Sequence, residues 1–400
     1  MLSMIEVNRK ENMTMKKAVM FGGGNIGRGF IGAVLAEAGY SIAFADVNVD
    51  LLNKLNELGK YTVRIRDTEC RDQVVEHVCG VNSTTDEVVK EIATADLVTT
   101  AVGLTILPRI AGAVANGIKA RMDAGSKEYL NIIACENAIR ATSQLKKAVY
   151  EEFDEATAAY ADEYVGFPDS AVDRIVPPVE NDPENPLDVV VEEFYEWSVE
   201  RCGFRGEIPN VPAMHIDEDL MAYLERKLFT LNTGHCITAY LGSLKGYETI
   251  DQAIADEKIY AIVRGAMTES GEGLIKKHGF EPEMHWAYME SIIKRYKNPY
   301  LKDALVRIGR EPNRKLAPTD RLIAPLLNSY SYGISVDNLI KGIAAALHFD
   351  YEGDPQSQVL QEKIRECGAI ETTKEITGVT DAELLSRIAT ASETIAAEIQ

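Results

Sequence analysis

The hydrophobic rhythm of the chain changes about halfway along. In the first half, apolar runs of strand length recur: KKAVMF (Lys16 to Phe21), SIAFAD (Ser41 to Asp46), DLVTTAVG (Asp96 to Gly103) and YLNIIACEN (Tyr129 to Asn137). Such near-continuous runs are expected of strands covered on both faces. After the first run, Ile26, Phe30, Ile31, Val34 and Leu35 return at helical spacing, and residues 106 to 122 predict another helix. Strand alternating with helix predicts an α/β fold with a doubly wound parallel sheet, whose ligands sit beyond the carboxyl ends of the strands.

Further along, the proline-rich acidic stretch PPVENDPENPLD (Pro177 to Asp188) predicts a surface excursion, and LDVVVEEFYEWSVE (Leu187 to Glu200) predicts a strand followed by a helix. GEIPNVPAMHIDED (Gly206 to Asp219) has the composition of a crossing between domains. The boundary is therefore placed near residue 205, giving domains 1–205 and 206–400. Beyond it the pattern is almost entirely helical. The opening segment, residues 1–14, reads as a flexible arm, because the first strand begins directly after it.

Two domains also suit a chain of 400 residues, which exceeds what one hydrophobic core usually organises. A formal charge of −20 disfavours nucleic acid and anionic membrane surfaces as partners. The expected partner is a small molecule, and an anionic one would need a local basic pocket. No apolar run is long enough for a membrane span, and the amino terminus lacks the apolar core of a signal peptide. Six scattered cysteines fit free thiols in a reducing compartment, so a cytoplasmic protein is expected, as a monomer or weak homodimer. Cys70, His77 and Cys79 lie close together, but no second ligand pair stands at zinc spacing, so no metal is expected.

The first strand runs directly into GGGNIGRGFIG. A strand, a glycine turn and a helix in this order form a dinucleotide-binding pattern. Gly22 permits the tight turn, Gly24 lets a pyrophosphate approach the backbone, and Gly27 lets the helix sit close to the strand. Asn25 and Ile26 complete the turn, and the helix N-terminus offers free amides to the phosphates. Asp46 ends the second strand nineteen residues past Gly27, where a carboxylate accepts ribose hydroxyls and repels a 2′-phosphate. NAD is favoured over NADP. Val102 and Gly103, at the end of a third strand, are further candidate cofactor contacts, and Glu136 and Asn137 fall at the end of a fourth.

In the second half, KLFTLNTGH places Lys227, Asn232 and His235 among apolar neighbours. On one α-helix they lie at about 0°, 140° and 80°, and span roughly 12 Å along the axis. A core helix with a snorkelling lysine and a hydrogen-bonded histidine would produce the same pattern. Beside a dinucleotide site, however, this face supplies a proton acceptor and hydrogen-bond donors for hydride transfer at an alcohol. A lysine at its ordinary pKa of about 10.4 is protonated at neutral pH, so such a base needs burial or nearby positive charge. Gly234, within the helix, implies close approach of a ligand or of a packed neighbour.

GGGNIGRGFIG, ADVN, TTAVG, NIIACEN, SAVDRIVPP and ERKLFTLNTGH followed by AYLG together resemble the polyol-specific long-chain dehydrogenases, from Met15 onward. The resemblance implies a Rossmann-type domain followed by a mostly α-helical C-terminal domain. It also implies NAD-dependent, metal-independent interconversion of D-mannitol 1-phosphate and D-fructose 6-phosphate. Lys227 would be the general base, Asn137 and Asn232 would hold the oxyanion, and His235 would position the substrate oxygen. Gly23 departs from the alanine common in relatives.

A sugar phosphate needs a cationic reader. Between Lys302 and Arg321, six basic residues face three acids in an otherwise acidic chain. Arg310, Arg314, Lys315 and Arg321 are the candidate phosphate ligands. A hexuronate oxidoreductase of the same family would read a carboxylate there instead, and a nucleotide-sensing module would need no catalytic set. Tyr223 and Lys227 also satisfy Tyr-x-x-x-Lys, but they lie outside the dinucleotide domain that this short-chain pattern requires.

Overall fold

A computed structural model describes residues 15–67, 69–176 and 184–400. The expected arm and Pro177–Pro183 of the acidic excursion lie outside the described residues. The chain divides into two compact units, the first ending at Leu220 and the second beginning at Met221.

Among the described residues, the first unit has twelve strands: β1 (Lys16–Phe21), β2 (Tyr40–Asp46), β3 (Lys60–Ile65), β4 (Arg71–Glu76), β5 (Val78–Asn82), β6 (Leu97–Thr100), β7 (Leu130–Ala134), β8 (Val165–Gly166), β9 (Ser170–Asp173), β10 (Val189–Val191), β11 (Glu196–Glu200) and β12 (Met214–Asp217). Six form a parallel sheet in the order β5-β2-β1-β6-β7-β8. The order reverses at β1, whose Val19 pairs with Ala43 of β2 on one side and Val98 of β6 on the other. That reversal opens a crevice at the carboxyl ends of β1 and β6. Alternation along β1 sends Ala18 and Met20 into one core with Phe30, Ile31 and Leu35. Val19 and Phe21 enter another with Val114 and Ile118. Apolar cover on both faces explains the unbroken apolar runs.

Two three-stranded sheets flank this one, β10-β3-β4 and β12-β11-β9. They correct two expectations. Residues 196–200 form β11 rather than a helix. Trp197 and Val199 are fully buried there, and β9 pairs antiparallel on one side while β12 pairs parallel on the other. β-branched and aromatic side chains favour this arrangement once partners exist, which a single segment cannot reveal. The pairing of β12 with β11 also keeps residues 214–217 within the first unit, so the division falls after Leu220 rather than near residue 205.

The second unit is helical, with an isolated bridge between Thr249 and Ala304. Its core joins Ile237, Tyr240 and Leu241 of one helix to Val263, Met267, Leu339 and Ile343 of others. Among the described residues, no helix is long and apolar enough to cross a membrane.

Candidate active site

The glycine turn lies at the sheet reversal. Gly22 has φ +91°, its amide donates to the Ala45 carbonyl at 2.9 Å, and a Cβ there would come within 2.5 Å of the Ala101 carbonyl oxygen. A Cβ on Gly27 would stand 1.9 Å from the Gly22 carbonyl oxygen, so strand and helix meet without room for a methyl group. At Gly24 the added atom would meet nothing within 4 Å. The exposed glycine therefore has open space before it, as approach of a phosphate to the backbone requires.

Asn25 and Ile26 begin the helix, which passes into a π turn over Gly27–Gly32. Within this turn, Arg28 is buried, and its Nε and Nη1 have no hydrogen-bond partner among the described residues. Burial lowers its pKa, against the raising influence of Tyr61, Asp46 and Asp188. So sparsely satisfied a buried cation favours an anion nearby.

The Asp46 carboxylate is the hinge of this arrangement. Oδ2 accepts the Gly23 amide at 2.7 Å, and Oδ1 accepts the amides of Val47 at 2.7 Å and Asn48 at 3.0 Å. Asn48, not Asp46, caps the following helix by accepting the Leu51 amide at 3.2 Å. Glu136 does the same service across the sheet, buried at the end of β7. It accepts the Thr100 hydroxyl at 2.7 Å and the amides of Val102 and Gly103, each at 2.9 Å. Val102 and Gly103 are thereby fixed beyond β6, and the exposed Asn137 follows Glu136. These residues fit an NAD-type dinucleotide: an open glycine, a buried and sparsely bonded cation in the helix that follows, and a carboxylate at the end of β2.

In the second unit, the helix bearing Lys227 is α-helical over Leu220–Arg226, a π-helix over Lys227–Asn232, and α-helical again over Thr233–Lys245. This changes the expected geometry. In a regular α-helix, Asn232 would lie about 140° round from Lys227. Bonding from i to i+5 makes five residues approach one revolution, which returns Asn232 toward the face of Lys227.

Hydroxyl groups take up carbonyls of the widened turn. Thr233 donates to Leu228 at 3.1 Å, Ser270 to Phe229 at 2.6 Å, and Tyr296 to Leu231 at 2.5 Å. Gly234 packs against neighbours, since a Cβ there would lie 2.6 Å from the Met267 sulfur and 3.0 Å from the Tyr296 hydroxyl. Lys227 is half-buried, and Asn232 and His235 are buried at the first turn of the following α-helix. His235 Nε2 stands 2.9 Å from Asp303 Oδ2, and its ring stacks on Tyr296 at 5.2 Å and 14°.

The basic segment is largely neutralised from within. Arg314 contacts Glu311 at 2.8 Å and Asp320 at 3.1 Å, and Arg321 contacts Asp320 at 2.7 Å. Lys315 is buried, donates to the Ile308 carbonyl, and lies 5.9 Å over the Tyr240 ring. Burial pushes its pKa down to about 8. Arg310 is exposed. The Thr233 hydroxyl shares its one hydrogen between the Leu228 carbonyl and the nearer Arg321 carbonyl at 2.7 Å, so the end of the segment rests against the lysine helix directly after Asn232.

Among the described residues, no group of three or more His, Cys, Asp or Glu side chains is placed to hold a metal ion. Asp303 is the residue that sequence reasoning missed, and for Glu136, already placed at a strand end, the structure adds the partners Thr100, Val102 and Gly103. In the sequence, Asp303 counted merely as an acid within a basic stretch.

Two family descriptions match the chain, "Mannitol dehydrogenase Rossmann domain" over residues 16–213 and "Mannitol dehydrogenase C-terminal domain" over residues 219–397. Among solved structures, a D-sorbitol dehydrogenase in substrate-free form is similar, with a TM-score of 0.79, 18% identity, and cover of 96% of this chain and 94% of that one. The Pseudomonas fluorescens mannitol 2-dehydrogenase, solved as a ternary complex with NAD and D-mannitol, gives a TM-score of 0.76, 16% identity and the same cover. At such identities the likeness is one of fold.

Proposed function

The chain belongs to the mannitol dehydrogenase family, and from that premise we propose that it interconverts D-mannitol 1-phosphate and D-fructose 6-phosphate, with NAD as cofactor and Lys227 as general base. The observation that carries the reading is the π turn beginning at Lys227, which returns Asn232 to the lysine's side of the helix and is followed directly by His235. A π turn weakens backbone bonding, and such turns concentrate at functional sites.

NAD, when bound, supplies the acceptor or donor of hydride. Lys227 takes the proton of the C5 hydroxyl during oxidation and returns it during reduction. Asn137 and Asn232 donate amide hydrogens to the oxygen as it gains negative charge, and His235 orients the same oxygen. Loss of one such donor typically raises the barrier by roughly 3 to 4 kcal/mol.

The phosphate group falls to the basic segment. Arg310, exposed and outside those ion pairs, makes first contact, and Arg314, also exposed, and Arg321 can exchange a carboxylate for phosphate oxygens at their shared partner Asp320. Lys315, being buried, acts there through its charge.

Replacing Lys227 with alanine tests the chemistry. We expect turnover in both directions to fall by about 10²- to 10⁴-fold, with NADH binding unchanged by fluorescence titration. Turnover near that of the wild type would remove Lys227 as the base.

A further inference from the structure

The lysine helix presents one catalytic candidate whose surroundings are more constrained than substrate contact requires. His235 is 9% exposed and Asp303 is 4% exposed. Nε2 and Oδ2 stand 2.9 Å apart, an ion-pair distance, although the ring N–H does not point squarely at the oxygen. The other carboxylate oxygen, Oδ1, accepts Arg307 Nε at 2.9 Å and is also bonded by Nη2.

The backbone around Asp303 is clipped on both sides. Its carbonyl accepts the Ile250 amide at 2.9 Å, and the Leu305 amide donates to the Glu248 carbonyl at 2.9 Å. Tyr296 closes the remaining freedom, since its ring covers the imidazole face and its hydroxyl is anchored on the Leu231 carbonyl, four residues before His235. A carboxylate held at its second oxygen and along its backbone, facing a ring held by stacking, is the arrangement that fixes a histidine tautomer.

We propose that Asp303 is a positioning residue that holds His235 through Nε2 and so reserves Nδ1 for the substrate oxygen. With the proton kept on Nε2, Nδ1 carries a lone pair and accepts the hydrogen bond of the alcohol as it docks; the hydroxyl's one proton then turns to Lys227, which removes it as hydride leaves. In the ketone direction Lys227 returns that proton, and Nδ1 takes up the hydrogen bond of the hydroxyl so formed. Burial by itself would raise the Asp303 carboxyl pKa, but His235 and the Arg307 guanidinium outweigh it and hold it below the usual carboxylate range. The negative charge is therefore present near neutral pH. Arg307 serves the carboxylate and does not reach the imidazole itself. This inference rests on the reading above, in which His235 touches the reacting oxygen.

The test is a double-substitution cycle on the full-length protein, Asp303→Asn and His235→Ala separately and together, with kcat and KM for the sugar substrate. A second readout is the imidazole ¹⁵N spectrum, with the His235 signals assigned by their loss in His235→Ala. Asp303→Asn preserves size, and we expect it to lower kcat/KM by roughly 10- to 100-fold, while the unfolding midpoint and NADH affinity stay near wild type. It should also shift the His235 signals away from a single Nε2–H tautomer. In the His235→Ala background, Asp303→Asn should cause no further loss.

Losses that multiply in the double variant would make Asp303 a merely structural residue and overturn the proposal. An unchanged Nε2–H tautomer in Asp303→Asn would overturn it as well, while leaving the wider reading of the site intact. Near-normal kcat/KM in His235→Ala would instead contradict that wider reading, and the positioning role with it.

Discussion

The Asp46 carboxylate shows how one residue can serve structure and selectivity together. Its oxygens hold the glycine turn and the next two amides in place, yet Oδ2, which accepts only the Gly23 amide, retains a lone pair that a ribose hydroxyl could use. Asp46→Ala should therefore both raise the KM for NAD and narrow the preference for NAD over NADP, as measured by kcat/KM with each cofactor. A raised KM with an unchanged preference would reduce Asp46 to a loop fastener. Asp46, Lys227, Asn232 and His235 can be proposed from the sequence because each sits at a fixed short offset from a glycine turn, a strand end or a neighbouring polar residue. Asp303 cannot, and the sequence places Glu136 at a strand end without its partners, since in both cases the partners lie far away along the chain and only folding brings them near.

Elements reveal a different limit. Apolar spacing located β1, β2, β6 and β7 because strands buried on both faces carry their pattern within themselves. β11 resembled a helix because the choice was made by β9 and β12 on either side. The π turns at Gly27–Gly32 and Lys227–Asn232 likewise leave no mark in spacing, although both coincide with the proposed chemistry.

Helix ends are more readable, and one makes a stability prediction. Asp256 caps the helix Glu257–His278 by accepting the amides of Lys258 and Ile259, and it also bonds Lys245 at 2.6 Å and Tyr247 at 3.0 Å. The contact with Lys245, above all, holds its pKa down to about 2, against the opposing pull of burial. A carboxyl depressed in the folded state stabilises above its unfolded pKa of about 4 and loses that contribution as pH falls toward 2. Asp256→Ala should cost about 1 kcal/mol near neutral pH. The difference in urea midpoint between variant and wild type should narrow as the medium is acidified through this window, and a gap that stays constant would rule out the ionised carboxyl as its source.

At the scale of the whole molecule, charge is the informative quantity. A protein of net charge −20 repels a sugar phosphate at long range, so recognition has to be local. The basic segment offers that locality, but most of its guanidinium groups already face carboxylates within the same stretch. This neutralisation could not be read from the excess of Lys and Arg, because a charge count carries no pairing. The relatives of similar fold are named for sorbitol and mannitol, which makes the phosphate the distinguishing feature of the proposed substrate.

The most direct measurement is the initial rate of NADH oxidation by the purified protein with D-fructose 6-phosphate, run beside D-fructose, tagaturonate and fructuronate. Rapid consumption with fructose 6-phosphate and rates lower by orders of magnitude with the other three are expected. Equal rates with unphosphorylated fructose, or activity confined to a hexuronate, would contradict the assignment.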